Sequence, residues 1–224
     1  MKKFSKRSHL LRLAHLAGCS FSDLDERHYQ RSLGENYKGA FKFLNESLSR
    51  ECFLTFFYPR ICPHCLSENK IAKAIWDLTL LTSCHLHKAN LIDLCFGCGQ
   101  RLSWKRSRTC FCNCGFDLRK SPTASANSFT TCIAQQVSAR LNFKISGVAI
   151  VPAAEIPAVF WHLSLNGQFA LLWLLGRLAP NHATLKNGHG RTKLGISSCL
   201  TLTESAQAVL NRWYEDIRTI SAYI

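Results

Sequence analysis

Eight of the twelve cysteines lie between Arg60 and Lys120, and their spacing is that of metal ligands. Cys62 and Cys65 form a C-x2-C pair; after eighteen residues Cys84 and His87 follow as C-x2-H. Two such turns, brought together by the chain between them, present four soft donors to one centre, which is how a tetrahedral structural zinc is held. Cys95 and Cys98 form the next pair, and Cys112 with Cys114 closes a second quartet. Gly115 directly after it can take the backbone angles that a tight turn needs. Two readings stay open here: Cys110 in place of Cys112, and His85 in place of His87. His64 reads as a solvated turn residue.

C-x2-C pairs can also be redox-active. A thioredoxin-like site, however, needs one pair beside a βαβ pattern, and this region has three close pairs and a Cys/His pair. Four protein ligands per ion leave no open coordination position, so both zinc ions are expected to be structural. Between the ligand pairs of the second site runs Leu102-Ser103-Trp104-Lys105-Arg106-Ser107-Arg108, the arm of a zinc ribbon. A basic tip with an aromatic suits phosphates or an acidic protein surface. The candidates for nucleic-acid or partner contact are Arg12, Arg101, Lys105, Arg106, Arg108, Arg119 and Lys120.

The elements that must carry these ligands are mostly helical. Ser8 reads as the start of a helix with Leu10, Leu13, Ala14, Leu16 and Ala17 on one face, ended by Gly18. Ser20 reads as the cap of a second helix with Phe21, Leu24 and His28, and Leu33 to Leu48 as a third, with Phe41, Leu44 and Leu48 at helical spacing. Helix, glycine turn, helix is compatible with a helix-turn-helix. Ile71 to Leu81 is expected to be helical, with Ile75, Trp76 and Leu80 turned inward. Ser121 to Ser128 has linker composition. Phe129 to Leu141, Ala153 to Leu163 and Gln168 to Leu178 read as helices, the last two separated by Asn166-Gly167. Ile145 to Val151 is a short apolar strand or helix. Residues 181–199 read as a loop, and Thr203 as the cap of a last helix with Ala206, Val209, Leu210, Trp213 and Ile217 on its apolar face. The expected fold class is therefore mostly α with small zinc-stabilised β elements. Its divisions are an N-terminal helical, helix-turn-helix-like segment (1–50), tandem zinc fingers or a ribbon (51–120), a linker (121–128) and a C-terminal helical domain (129–224).

The formal net charge is +14, from 28 basic and 14 acidic residues, and the excess runs along the whole chain. Such a field favours a polyanion. No apolar run and small-residue cleavage site follow the basic N-terminus, so no signal peptide is expected. The longest apolar run, Phe169 to Leu175, is too short to span a bilayer. A cytoplasmic location is expected, where thiols stay reduced and available to metal.

The order Tyr58-Pro59-Arg60-Ile61-Cys62-Pro63-His64-Cys65-Leu66, Trp76, Cys84 to His87, Leu91, Cys95 to Cys98, Leu102 and Cys114-Gly115-Phe116-Asp117-Leu118 resembles the TniQ family, the TnsD/TniQ target-selection proteins of transposons. Ser8-His9-Leu10-Leu11-Arg12-Leu13-Ala14, with Gly18 and Ser20, resembles the opening helix of those proteins. The chain departs from the family in two places. CHLH stands where CPxH is usual, and Lys3 to Arg7 replace a proline and an acidic residue before the first helix. The end of the chain is similar to the helical half of many members, more loosely.

No P-loop, no H-E-x-x-H and no H-x-E before P-C-x-x-C occurs, and carboxylates are too scarce for a two-metal site. An enzyme is not expected. The resemblance implies a non-catalytic target-selection adaptor in DNA transposition. It would link a target-recognition element, either target DNA or a CRISPR RNA-guided effector complex, to a TnsC-like AAA+ regulator contacted through the N-terminal region. The shortness of the chain leans toward the RNA-guided kind. No membrane partner is expected, and a homo-oligomer is compatible with the sequence. Two other classes remain: a zinc-containing sequence-specific DNA-binding regulator, and a redox protein, against which the closed ligand sets argue.

Overall fold

A computed structural model of the protein describes residues 11–12, 14–16, 18–22, 30–31, 41–44, 46–55, 58–141, 156–178 and 194–221. The chain divides into two compact units, Met1–Glu51 and Cys52–Ile224.

In the first unit the described residues from 11 to 16 are helical, and Ala14 is buried. Gly18 ends this helix at φ 65°, with Cys19 N–H donating to Ala14 O and Gly18 N–H to His15 O. That bond pair is a Schellman motif, which suits glycine because it has no Cβ to clash in the left-handed region. The helix expected over Leu33 to Leu48 is a hairpin where it is described. Strands β1 (Gln30–Arg31), β2 (Phe41–Phe43) and β3 (Glu46–Leu48) form an antiparallel sheet in that order, with Phe41 opposite Leu48 and Phe43 opposite Glu46. The apolar spacing at 41, 44 and 48 coincides with helical spacing, but Phe43, which lies outside that spacing, is buried together with Leu48. Leu44 turns the chain at φ 51°. Most of the expected second helix, including Leu24 and His28, lies outside the described residues.

In the second unit α1 (Pro63–Asn69) follows Cys62 directly, with Pro63 in its first turn. Lys70 closes it at φ 55°, its N–H donating to Leu66 O. The helix expected over Ile71 to Leu81 is reduced to a 3-10 turn, Ala74–Asp77. Beyond it the backbone is claimed by other partners. Thr79 N–H donates to Phe53 O, Thr55 N–H to Asp77 O, and Arg60 takes the carbonyls of Leu78, Thr79 and Leu81. Carbonyls engaged in this way are unavailable to an α-helical ladder. Ile75, Trp76 and Leu80 are buried, as their spacing suggested.

Residues 121–128, of linker composition, run along the loop of the first Cys/His group: Asn90 N–H donates to Ala124 O, and Ala126 N–H to Lys88 O. Helix α2 (Ser128–Arg140) starts at Asn127, whose side chain accepts from Thr130 N–H at 2.7 Å. Helices α3 (Ala158–His162) and α4 (Leu165–Leu178) come next. Asn166-Gly167 lies inside the first turn of α4 and does not interrupt it, because Ser164 Oγ accepts from Gly167 N–H. Phe169, Leu172 and Trp173 are buried, and Phe53 meets Phe169 and Trp173 edge-on at 5.8 and 6.2 Å.

Helix α5 spans Ile196–Ser221, so residues 196–199 are helical rather than loop, and Thr203 is inside the helix rather than its cap. Its start is fixed from a distance: Asp93 Oδ2 accepts from Ile196 N–H. The hydroxyls of Thr201 and Thr203 bond back to Ser197 O and Cys199 O, which lets a Ser/Thr-rich run stay helical. Cys199, Leu202, Ala206 and Leu210 form its buried stripe. The side chains of Trp213 and Ile217, and the segment Ile145 to Val151, lie outside the described ones.

Helices α4 and α5 meet at Gly176. A Cβ there would stand 2.5 Å from Leu202 O and 2.7 Å from Leu202 Cγ. Gly176→Ala would gain about 1 kcal/mol of helix propensity on an isolated helix. In this packing the clash wins, and the substitution is expected to lower unfolding stability by about 1–3 kcal/mol in urea titrations.

Candidate metal centres

The first quartet is built from two local turns. Cys62 precedes α1 and Cys65 sits in its first turn, with Leu66 N–H bonded to Cys62 O. Cys84 opens a tight loop in which Lys88 N–H donates to Cys84 O and Cys84 N–H to Ala89 O, with Lys88 at φ 50°. His87 projects from that loop. Its Nδ1 is 3.6 Å from Cys62 Sγ, 3.3 Å from Cys65 Sγ and 3.6 Å from Cys84 Sγ; the sulfurs of Cys65 and Cys84 are 3.6 Å apart.

The second quartet is Cys95, Cys98, Cys112 and Cys114. Two knuckles carry it. Gly99 N–H donates to Cys95 O and Gly115 N–H to Cys112 O, with the glycines at φ 67° and 87°. Bridges at Leu94–Arg101 and Phe111–Asp117 hold each knuckle in a hairpin. Cys95 and Cys114 sulfurs are 3.7 Å apart, and Cys98 and Cys112 sulfurs 3.9 Å. Within each quartet the four donor atoms lie within 4.8 Å of one another.

These separations discriminate between chemistries. A disulfide would place sulfurs about 2.05 Å apart. A tetrahedron with metal–sulfur bonds of about 2.3 Å and a metal–nitrogen bond of about 2.0–2.1 Å has S–S edges of about 3.8 Å and S–N edges of about 3.5 Å. The observed edges match the tetrahedron, and the thiol and imidazole donors fit a soft or borderline cation. Both groups could hold a metal ion.

Their electrostatics fit as well. Hydrogen bonds from Cys62 and Cys65 pull the Cys84 thiol far below its ordinary range, while hydrogen bonds with Cys62 and Cys84, together with burial, push Cys65 far above its own. In the second group the backbone N–H of Phe116 and the thiol of Cys98 bring Cys114 down to about 7, and burial pushes Cys95 up to about 12. Sulfurs this close cannot all ionise unless a cation sits among them.

At the two positions the spacing left open, the structure brings His87 and Cys112 into the two groups. His85 is buried away from the quartet, and burial lowers its pKa. Cys110 is buried, its carbonyl accepting from Leu118 N–H. A residue absent from the sequence reading completes the first site: Glu68 Oε1 is 2.7 Å from His87 Nε2. Burial works to lower the His87 pKa, but this carboxylate and Cys84 outweigh it and the net shift is upward. A proton on Nε2 facing Glu68 leaves the Nδ1 lone pair toward the sulfurs, the arrangement in which an outer carboxylate orients a ligating histidine. The signal was present: Glu68 follows Cys65 by three residues, nearly one helical turn.

The seven basic candidates separate. Arg106 bonds the carbonyls of Ser103 and Thr109, closing its own loop. Arg119 forms a two-toothed pair with Asp117, which holds that carboxyl at about 2. Arg101 lies 4.9 Å over the Tyr58 ring. Arg12, Lys105, Arg108 and Lys120 are exposed.

Residues 2–91 match the family model of TniQ. The match supports the TniQ family for this chain, and with it a transposition-associated protein. It spans the whole first quartet and stops before Cys95. No curated protein matches the chain. Among the described residues no helix is long and apolar enough to cross a membrane.

Three substitutions test the first centre. His87→Ala is expected to lose one bound ion per chain by native mass spectrometry, whereas His85→Ala keeps the full metal content. Glu68→Ala is expected to keep its ion but bind it about 10–100-fold more weakly in chelator competition.

Proposed function

We propose that this protein is a non-catalytic target-selection adaptor in DNA transposition. It joins a target-recognition element, target DNA or a CRISPR RNA-guided complex, to a TnsC-like AAA+ regulator. The observation that carries this reading is the TniQ match, which covers the N-terminal unit and the complete first metal quartet. The ions are two structural zincs. Each quartet supplies four protein donors and leaves no position for water or substrate, so zinc supplies rigidity here and no Lewis-acid step.

Magnitudes favour a scaffold. A structural zinc contributes about 10–16 kcal/mol of apparent binding free energy at neutral pH, comparable to the whole net stability of about 5–15 kcal/mol of an ordinary domain. The chain between residues 61 and 120 has few regular elements and depends on such closure. A surface made rigid in advance loses little conformational freedom on binding. The net charge of +14 adds phosphate attraction, which weakens steeply with salt.

The test is co-assembly. The protein is mixed with a TnsC-like AAA+ ATPase, ATP and duplex DNA, and the complex is isolated by sedimentation. Stoichiometric incorporation that disappears on zinc chelation is expected. Exclusion from the ATPase complex, with tight binding of one duplex sequence by the protein alone, would replace the adaptor with a zinc-containing DNA-binding regulator.

A further inference from the structure

A recess of about 270 Å³ opens where the two metal-binding modules meet, lined by Lys70, Arg108, Thr109, Cys110, Phe111 and Arg119. The first module contributes Lys70, at the end of α1, and that helix packs against the 3-10 turn Leu118–Lys120, which carries Arg119. The second module contributes Arg108, two residues before Cys110. Both guanidiniums lie over the Phe111 ring, at 5.9 Å for Arg108 and 5.6 Å for Arg119. The ring thus holds two cations in place, an arrangement favoured by the negative face of its π system.

The charge there is unbalanced. Asp117 neutralises Arg119 through Nε and Nη2 and leaves Nη1 without a partner in that pair. Glu68, two residues before Lys70, is committed to His87. Among the described residues no carboxylate bonds Lys70 or Arg108. The side chains of the lining therefore carry an excess of two positive charges. Like charges gathered around one recess with no carboxylate bonded to them repel, and an anion placed among them relieves that repulsion more directly than the thiolates of the adjoining quartet can.

We infer that this recess is a phosphodiester subsite that takes one backbone phosphate of a nucleic-acid strand. The recess is small beside the roughly 300–1,000 Å³ of small-molecule pockets and takes a phosphate group, and its one ring, Phe111, is already engaged by both guanidiniums and not offered to a base. Planar guanidinium and point-charge ammonium donors converging from different sides suit the tetrahedral oxygens of a phosphate. The choice of nucleic acid over an acidic peptide rests on the transposition reading and on the basic excess along the whole chain, with Lys120 the next cation after Arg119. Because its cations come from both metal modules, the subsite exists only when both are closed.

The test uses the full chain with both metals bound. Lys70→Asn, which suits the left-handed angle at that position, is combined with Arg108→Gln. Binding of a labelled duplex DNA and of an RNA hairpin is followed by anisotropy over a salt series, with poly-glutamate as a third ligand. Unchanged metal content and melting temperature certify the variant; Lys70→Asn alone serves if the pair is unstable. The expected result is an affinity about tenfold lower, independent of base sequence, with a log–log salt slope shallower by about 0.9. A change confined to one arm assigns the strand to DNA or to RNA. Wild-type affinity and slope in the variant would sink the subsite while leaving the adaptor reading intact. A loss confined to poly-glutamate would overturn it in favour of an acidic protein surface. A wild-type chain that binds neither nucleic acid overturns it too, and the adaptor reading is then judged by co-assembly with the ATPase.

Discussion

Thiols gathered within 4.8 Å of one another cannot all carry charge without a cation among them, and the second unit is organised around two such gatherings. Each draws together donors that are distant in sequence. Cys65 must meet Cys84, and Cys98 must meet Cys112. The segments between are thereby folded into loops whose few internal hydrogen bonds would not hold them alone. Short knuckles, isolated bridges and 3-10 turns can then stand where a larger domain would need long helices and sheets.

From this frame one buried cation reaches the C-terminal helices. Arg60 is 2% exposed and stands two residues before the first ligand. Its Nη1 donates to the carbonyls of Leu78, Thr79 and Leu81, and its Nη2 to Leu194 O and the Cys199 sulfur. A guanidinium removed from water needs its donors occupied, and these acceptors come from both sides of the join between the first metal module and α5. Cys199 is itself deeply buried; burial raises its pKa, and Arg60 opposes that shift. Asp93 ties the same join through the N–H of Ile196. The metal modules and α5 are thus fastened by polar bonds.

What the sequence made legible was local. Ligand pairs at C-x2-C and C-x2-H spacing and the glycine that ends the first helix declare themselves within a few positions, and the structure places them accordingly; of the apolar stripe Phe169, Leu172, Trp173 and Leu175, the first three are buried and Leu175 is half-buried. Distant partners explain the rest. Residues 78–81 have helical composition but give their carbonyls to Arg60. The start of α5 looks like a polar loop until Asp93, far earlier in the chain, accepts its first N–H. In residues 41–48 helical spacing and a strand hairpin coincide, and periodicity alone cannot separate them. Glu68 stands three residues after Cys65, but its partner His87 is nineteen residues further on, and only the fold brings the carboxylate to the imidazole.

The two quartets differ in their access to solvent. Cys62, Cys65 and Cys84 are buried, whereas Cys98 and Cys114 are exposed. An oxidant or a competing chelator reaches the outer pair by simple collision, but reaches the inner trio only when the surrounding fold opens. The two centres therefore age on different clocks. Oxidation would then reach the ribbon before the inner module, and the bonds that Arg60 makes to Leu194 and Cys199 do not depend on the outer sulfurs.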